Sequence, residues 1–362
     1  MTYAKLLWKT SNERKNKMSK IRWGVVGSGG IARRRTIPEG IVAARNAELA
    51  AVCDVNEHVN GEVAEQFHVK AVASLPELLA LDINAVYVAT PAHLHHNQVI
   101  QTAQAGKHIL CEKPLGMTVK EIREMISICK KSKVKLGTAF MMRFQSQHQA
   151  AAQMIREGKL GKLLYGRAQL SCWYPPIDGA WRQSQSQGGG GSLIDMGGHC
   201  IDLLEMFFGD VKRASCFINR SVHSYETEDS AVVLLEFESG AFGTVDTFFC
   251  IPDNSSKNIL ELYGSKGSIL CKNTIGQGPA GEMIAYLEGD SSGYDAQQSR
   301  TQSAGIPVNP QPINTYQAEI EEFSQAILDK RPCLNSAAIG LESQKVICAI
   351  YKSALNGRIV KV

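Results

Sequence analysis

An acid and an imidazole four residues apart, a lysine followed by a proline, and a glycine-rich turn with a distant acid are the parts of this 362-residue sequence that could do chemistry. Asp195 and His199 stand in Gly188-Gly-Gly-Gly-Ser-Leu-Ile-Asp195-Met-Gly-Gly-His199-Cys-Ile-Asp202. On a helix that spacing puts both side chains on one face, so a carboxylate can orient or charge-support an imidazole, and an imidazole tunable near neutrality is a credible general base. A DxxxH pair alone is more often an ordinary helix pair, and it gains meaning only beside the other motifs. Glu112-Lys113-Pro114 ends an apolar run, and Pro114 restricts Lys113 to extended geometry, admits a cis bond and fixes where the ammonium points. Gly27-Ser28-Gly29-Gly30-Ile31-Ala32 matches GxGxxG/A: the first glycine permits the turn, the second lets a pyrophosphate approach the backbone, and Ala32 allows close helix–strand packing. Asp54, 22 residues past Ala32, can accept hydrogen bonds from ribose hydroxyls and repel a 2′-phosphate, which favours NAD over NADP. Arg33, Arg34 and Arg35 could meet a phosphate, but an exposed helix face suits most of them better.

These residues need elements to position them. Short apolar runs at 21–27, 48–54, 84–90, 107–112 and 134–140 alternate with helical stretches at 31 onward, 57–67, 94–105 and 118–132. The pattern predicts an α/β Rossmann domain, a doubly wound parallel sheet over 21–143, with Glu112-Lys113-Pro114 at the end of its fourth strand and ligands beyond the carboxyl ends. A helix at about 146–158 and a strand at about 160–174 lead into a Pro/Gln/Ser/Gly-rich stretch at 175–191 and the periodic segment 192–208; strand-like runs predominate from 211 to 272, and helices at 315–329 and 336–356 close the chain. This reads as an α+β domain over 144–362 with a large, mainly antiparallel sheet, hairpins at Glu238-Ser-Gly240 and Gly264-Ser-Lys-Gly267, and no single conformation for 273–312.

The composition, 44% hydrophobic and 20% charged, excludes disorder. The formal charge of +4 resides in residues 1–20, read as a solvated basic extension before a second plausible start at Met18; the rest sums to −1, which argues against nucleic acid. Ten cysteines, none closer than fifteen residues to the next, give no zinc spacing and fit a reducing cytoplasm. No apolar run reaches the roughly 18 to 20 residues needed to span a bilayer. His93, His95 and His96 lack a carboxylate or cysteine at ligand spacing, so no metal is expected. Gly188 to Gly191 suggest a close backbone approach to cofactor or substrate. Trp173, Tyr174 and Trp181 would suit a sugar-stacking wall, or equally ordinary packing at a domain junction.

With GSGGIA at 27–32, CD at 53–54, TPAHLHHNQVIQTAQAGKHILCEKP at 90–114, GGGSLIDMGGHCIDLL at 189–204 and Tyr316…Glu319…Phe323, the sequence resembles the glucose–fructose oxidoreductase, inositol dehydrogenase and MocA (Gfo/Idh/MocA) family. The resemblance implies a nicotinamide-dependent oxidoreductase with Lys113, Asp195 and His199 as its catalytic set. Thr90, Pro91, His95, Glu112 and Lys113 would line the cofactor, Trp181-Arg182 would reach the nicotinamide end, and Arg143 would contact substrate. His199 would take the hydroxyl proton of a secondary alcohol, Asp195 would hold and polarise His199, and Lys113 would donate to the oxygen as it becomes a carbonyl. The implied substrate is a sugar, glycoside or cyclic polyol, and the implied assembly a homodimer or homotetramer through the C-terminal sheet. The alternatives are an NADP-dependent sugar-ketone reductase acting on an anhydro-sugar, which Asp54 counts against, and a non-catalytic NAD-binding sensor, against which Lys113 and His199 count.

Overall fold

Each apolar run up to residue 140 forms a strand of one parallel sheet: β1 (Ile21–Val26), β2 (Ala47–Cys53), β3 (Lys70–Val72), β4 (Ala85–Val88), β5 (His108–Cys111) and β6 (Leu136–Thr138). The computed structural model describes residues 20–256, 258–279, 281–287, 296 and 304–362, so all of the basic extension except Lys20 lies outside the described residues. The strand order is β3-β2-β1-β4-β5-β6. It reverses between β1 and β4, where an open α/β sheet forms its ligand crevice. Helices α1 (Ala32–Ile41), α2 (Glu57–Phe67), α3 (Leu75–Leu79), α4 (Ala92–Gln104) and α5 (Val119–Lys131) join these strands. Covered on both sides, β4 buries all four of its residues. The helix starts are written locally: Asn56 accepts from the Val59 N–H, and Thr118 with Glu121 forms a capping box. β3 was not foreseen, because two of its three residues are exposed and a run that short carries no period. It makes β5 the fifth strand, so the expectation that Glu112-Lys113-Pro114 ends the fourth is corrected.

The second sheet is nine-stranded: β7 (Leu163–Ser171), β8 (Val211–Asn219), β9 (Ser230–Phe237), β10 (Phe242–Phe248), β11 (Ile259–Gly264), β12 (Gly267–Lys272), β13 (Glu282–Leu287), β14 (Ile306–Pro307) and β15 (Val360–Lys361), in the order β14-β13-β12-β11-β7-β10-β9-β8-β15. β10 pairs β7 in parallel and the other neighbours are antiparallel. Gly240, at φ +83°, turns the β9–β10 hairpin. The helices of this half are α6 (Ser146–Arg156), the short α7 (Gln185–Gly188), α8 (Gly198–Phe208), α9 (Thr315–Leu328) and α10 (Ala337–Asn356). One sheet face packs on Leu204, Phe208, Ile347 and Ile350 of α8 and α10. The other leaves Phe217 81% exposed, with Val232, Leu234 and Phe242 also open.

The two halves share a core. Ile320, Phe323 and Ala326 of α9 pack with Trp23 of β1 and with Ile37 and Ile41 of α1, and the Trp23 indole donates to Ser324 Oγ at 3.1 Å. α6 is pinned by buried His148, whose Nδ1–H donates to Met142 O at 2.8 Å while Nε2 accepts from Thr274 Oγ1 at 3.1 Å. Burial pushes His148 down to about 4, against the Met142 bond. A lowered folded pKa means that below about 6.5 the unfolded chain takes up a proton the folded one refuses. Stability is therefore lost as pH falls from about 6.5 to about 4, by up to ~3 kcal/mol from this residue. His148→Gln can keep both hydrogen bonds without the titration. Its thermal midpoint is expected to fall less between pH 7 and pH 4 than that of the wild type in scanning calorimetry, and parallel curves would refute the assignment.

Candidate functional site

The glycine turn after β1 opens the site. Gly27 lies at φ +83°, and a Cβ there would sit 2.7 Å from the Ala89 carbonyl carbon, so only glycine fits. Gly29 N–H donates to Asp54 Oδ2 at 3.1 Å and Asn56 N–H to Oδ1 at 2.9 Å, which fixes the carboxylate beside the turn. Buried Ser28 reaches Asn60 Oδ1 through its hydroxyl at 3.0 Å. Gly30, at φ +48°, has open space where a Cβ would project and borders a cavity of about 340 Å³. Arg33 pairs with Glu62 at 2.7 Å and Arg35 with Glu39 at 2.5 Å, whereas Arg34 lines the cavity.

Ile31, Thr90, Glu112, Lys113 and Met142 bound this cavity from the first half, and Trp181, Arg182, Asp195, His199 and Tyr316 from the second half. A larger cavity of about 760 Å³ lies behind residues 185–194 and includes none of Lys113, Asp195 or His199, so the chemistry assigns the site to the smaller one. Lys113, whose bond to Pro114 is cis, donates through Nζ to Asp195 Oδ1 at 2.6 Å and to Asp195 O at 2.9 Å. Arg182 Nε is 3.0 Å from the same Oδ1 without being aimed along a hydrogen bond, and its guanidinium stacks 4.2 Å from the Trp181 ring centre. Burial alone would raise the Asp195 carboxyl, but the Arg182 and Lys113 cations outweigh it and hold it well below the carboxylate range. His199 is pushed down to about 3, first by burial and then by the Lys113 charge, with Asp195 opposing. Its Nδ1 is buried without a hydrogen-bond partner, and the Phe140 ring meets it edge-on at 6.2 Å. Glu112 Oε1 accepts from the buried Tyr87 hydroxyl at 2.7 Å, and burial raises its carboxyl against the pull of Lys113 and Tyr87.

A family model described as an oxidoreductase family with an NAD-binding Rossmann fold matches residues 21–140, and one described as the GFO/IDH/MocA C-terminal domain matches 148–270. The myo-inositol 2-dehydrogenase of Thermotoga maritima is 30% identical over 288 residues, 74% of this chain and 82% of that one. The chain belongs to the Gfo/Idh/MocA oxidoreductase family. Two further Gfo/Idh/MocA likenesses span nearly the whole chain. The 1,5-anhydro-D-fructose reductase of Ensifer adhaerens is 28% identical over 94% of this chain and 98% of that one. The structure of the aldose-aldose oxidoreductase of Caulobacter crescentus complexed with glycerol superposes with a TM-score of 0.84 at 27% identity, covering 95% and 100% of the two chains.

Within this Gfo/Idh/MocA enzyme, several expectations need correction. Asp195 faces Lys113 and Arg182, not His199, because the turn carrying it, Leu193–Gly197, is wound as a π-helix and its carboxylate is taken by cations from other segments. Arg143 stands outside the cavity wall: its Nε donates to both carboxylate oxygens of buried Asp202, at 2.7 and 2.9 Å, and Asp202 is raised to about 6 by burial despite that partner. Trp173, 43% exposed, also lies outside, edge-on to His223 at 4.9 Å. Pro91 caps α4 behind Thr90, and His95 is buried with Nε2 2.8 Å from Thr90 O and Nδ1 2.9 Å from Pro114 O, bracing two loops of the site from behind. Among the other histidines of that run, His93 reaches Gln187 O at 3.3 Å and His96 reaches Glu124 at 3.1 Å, so the three imidazoles share no partner. The glycines at 188–191 make way for the protein itself: a Cβ on Gly188 would meet Trp181 O at 2.9 Å, and one on Gly190 or Gly191 would overlap the Tyr351 hydroxyl or Glu228 O. Reading the sequence missed Tyr87 and three methionines of the wall, Met141, Met142 and Met196. A tyrosine in a strand buried on both faces needs a partner for its hydroxyl, and that was the available signal.

Proposed function

We propose that this enzyme oxidises a ring secondary hydroxyl of a neutral sugar, glycoside or cyclic polyol, with NAD as acceptor. The observation that carries the reading is the Lys113 ammonium, 2.6 Å from the Asp195 carboxylate, beside His199 in a cavity that also reaches Gly30 of the glycine turn. The open space over Gly30 and the unpartnered His199 Nδ1 fit a site built for a ligand. The glycine turn would hold a pyrophosphate, Asp54 the adenosine ribose, and Thr90 with Glu112 the nicotinamide end. When bound, the nicotinamide accepts the hydride. Lys113 donates to the substrate oxygen and stabilises charge as it develops there, Asp195 holds the ammonium in place, and His199 takes the hydroxyl proton. The exposed apolar residues Phe217, Val232, Leu234 and Phe242 support assembly as a homodimer or homotetramer through the second sheet. Among the described residues no helix is long and apolar enough to cross a membrane, and the free cysteines suit the cytoplasm.

A second reading, reduction of an anhydro-sugar ketone with NADPH, draws on the likeness to the 1,5-anhydro-D-fructose reductase. Incubating the protein with NAD or NADP and a panel of sugars, glycosides and inositols, and following reduced-nicotinamide absorbance, tests both. Growth with NAD and at least one alcohol is expected. Turnover only with NADPH and a keto-sugar favours the second reading, and silence throughout, with NAD still bound, favours a sensor. Asp54→Ser is expected to weaken NAD binding by about 10-fold and to narrow its preference over NADP, since a charge-assisted hydrogen bond and a repulsion are both lost. Unchanged dissociation constants for the two dinucleotides in fluorescence titration would contradict the role of Asp54.

A further inference from the structure

The turn that presents Asp195 and His199 has open space behind it, because the 760 Å³ cavity borders Gly189 and Ile194 on the side away from Lys113. Packing of Leu193 and Ile194 is supplemented there by hydrogen bonds, and one residue accepts three of them from the turn. Glu228, just before β9 and 6% exposed, accepts from Gly191 N–H at 2.9 Å and Leu193 N–H at 3.0 Å through Oε1, while its main-chain oxygen accepts from Ser192 N–H at 3.0 Å. Three successive N–H groups at the start of the turn thus end on a single residue, and these are donors that a helix start leaves without partners of its own. The Tyr351 hydroxyl donates to the same Oε1 at 2.9 Å and fixes the carboxylate from the α10 side. The clamp reaches the reacting groups in two steps: Asp195 N–H donates to Gly191 O at 3.1 Å, and Lys113 Nζ bonds both Asp195 O and Oδ1. Gly191 has to be glycine for this clamp to close, since a Cβ would overlap Glu228 O.

We propose that Glu228 is the positioning residue of the active-site turn, setting where Asp195 meets Lys113 and where His199 faces the cavity, with Tyr351 as its brace. Its catalytic meaning rests on the oxidoreductase reading above, but the geometry is testable without a substrate. Glu228→Gln keeps an oxygen at the Oε1 position. Glu228→Asp keeps the charge and shortens the reach, and Glu228→Ala removes the acceptor. In hydrogen–deuterium exchange on the full chain, the amides of 191–199 are expected to exchange about 10- to 100-fold faster in the Asp and Ala variants, within about threefold of wild type in the Gln variant, and unchanged in β1 and β4 throughout. The His199 imidazole, followed by NMR, is expected to titrate closer to 6.5 in the Asp and Ala variants, as its burial loosens, and to stay low in the Gln variant. If the Ala variant does not fold, the Asp and Gln pair carries the same contrast. Wild-type exchange at 191–199 in the Asp variant, or loss of protection in β1 and β4 along with it, would overturn the proposal. A loosened turn in a protein silent toward every alcohol would overturn the alcohol-oxidation reading alone.

Discussion

Lys113→Met is expected to lower kcat for alcohol oxidation by about 10³-fold, ~4 kcal/mol of barrier, while NAD binds within about threefold of wild type. The size follows from geometry. The ammonium donates to Asp195 at 2.6 Å within the cavity wall, and its side chain is only 10% exposed, so solvent is poorly placed to take over its role. Methionine fills much the same volume, and Arg182 remains 3.0 Å from the Asp195 carboxylate, so removal of the lysine leaves that buried acid with a countercharge and the fold intact. A second readout separates loss of the donor from loss of the site. Because Lys113 is, after burial, the next cause of the low His199 value, the His199 imidazole of Lys113→Met should titrate higher than in wild type. Steady-state rates, dinucleotide titration and an imidazole NMR titration check the three parts, and near-wild-type turnover would remove Lys113 from the reaction.

Much of this site could be read from residue types alone, for a physical reason. The glycine turn, Asp54, and Lys113 at a strand end are local: each is fixed by backbone that β1, β2 or β5 holds in place, and strand–helix alternation with buried runs leaves little choice of fold. What could not be read depends on which side chains meet from distant segments. Asp195 and His199 share a turn, yet the partner of Asp195 comes from 82 residues earlier, and spacing says nothing of that encounter. Arg143 suffers the same limit, its partner Asp202 lying 59 residues on, as do Gly190 and Gly191, whose crowding neighbours Tyr351 and Glu228 arrive from α10 and from just before β9. β3, β14 and β15 escaped for a different reason, since two or three residues carry no periodicity, and β13 escaped because its six residues lie in the Gly-, Ser- and Gln-rich stretch 273–312, whose composition points to no single conformation.

His199 sets the other large effect, and its sign runs against habit. An ordinary imidazole base would give kcat/KM for oxidation an acid limb near pH 6.5, where it gains a proton and stops accepting one. Here burial first and the Lys113 charge second lower the imidazole to about 3, so the neutral, accepting form prevails throughout the range in which the fold is useful. The free enzyme's kcat/KM is therefore expected to stay flat from about pH 5 to pH 7 as far as His199 is concerned. Such a base holds a proton poorly in the resting site, and the arrangement answers this difficulty. As negative charge develops on a substrate oxygen hydrogen-bonded to Lys113, it offsets the cation that depresses His199, so the imidazole gains basicity when the proton arrives. The two residues then act as a unit, and their losses should not add. His199→Gln is expected to lower kcat by about 10²- to 10³-fold with NAD binding unchanged, and the Lys113→Met/His199→Gln double variant to fall little further than Lys113→Met alone. An acid limb at pH 6.5 that disappears in His199→Gln would show the imidazole titrating normally and would refute the depressed value. Additive losses in the double variant would instead show Lys113 and His199 acting on separate steps.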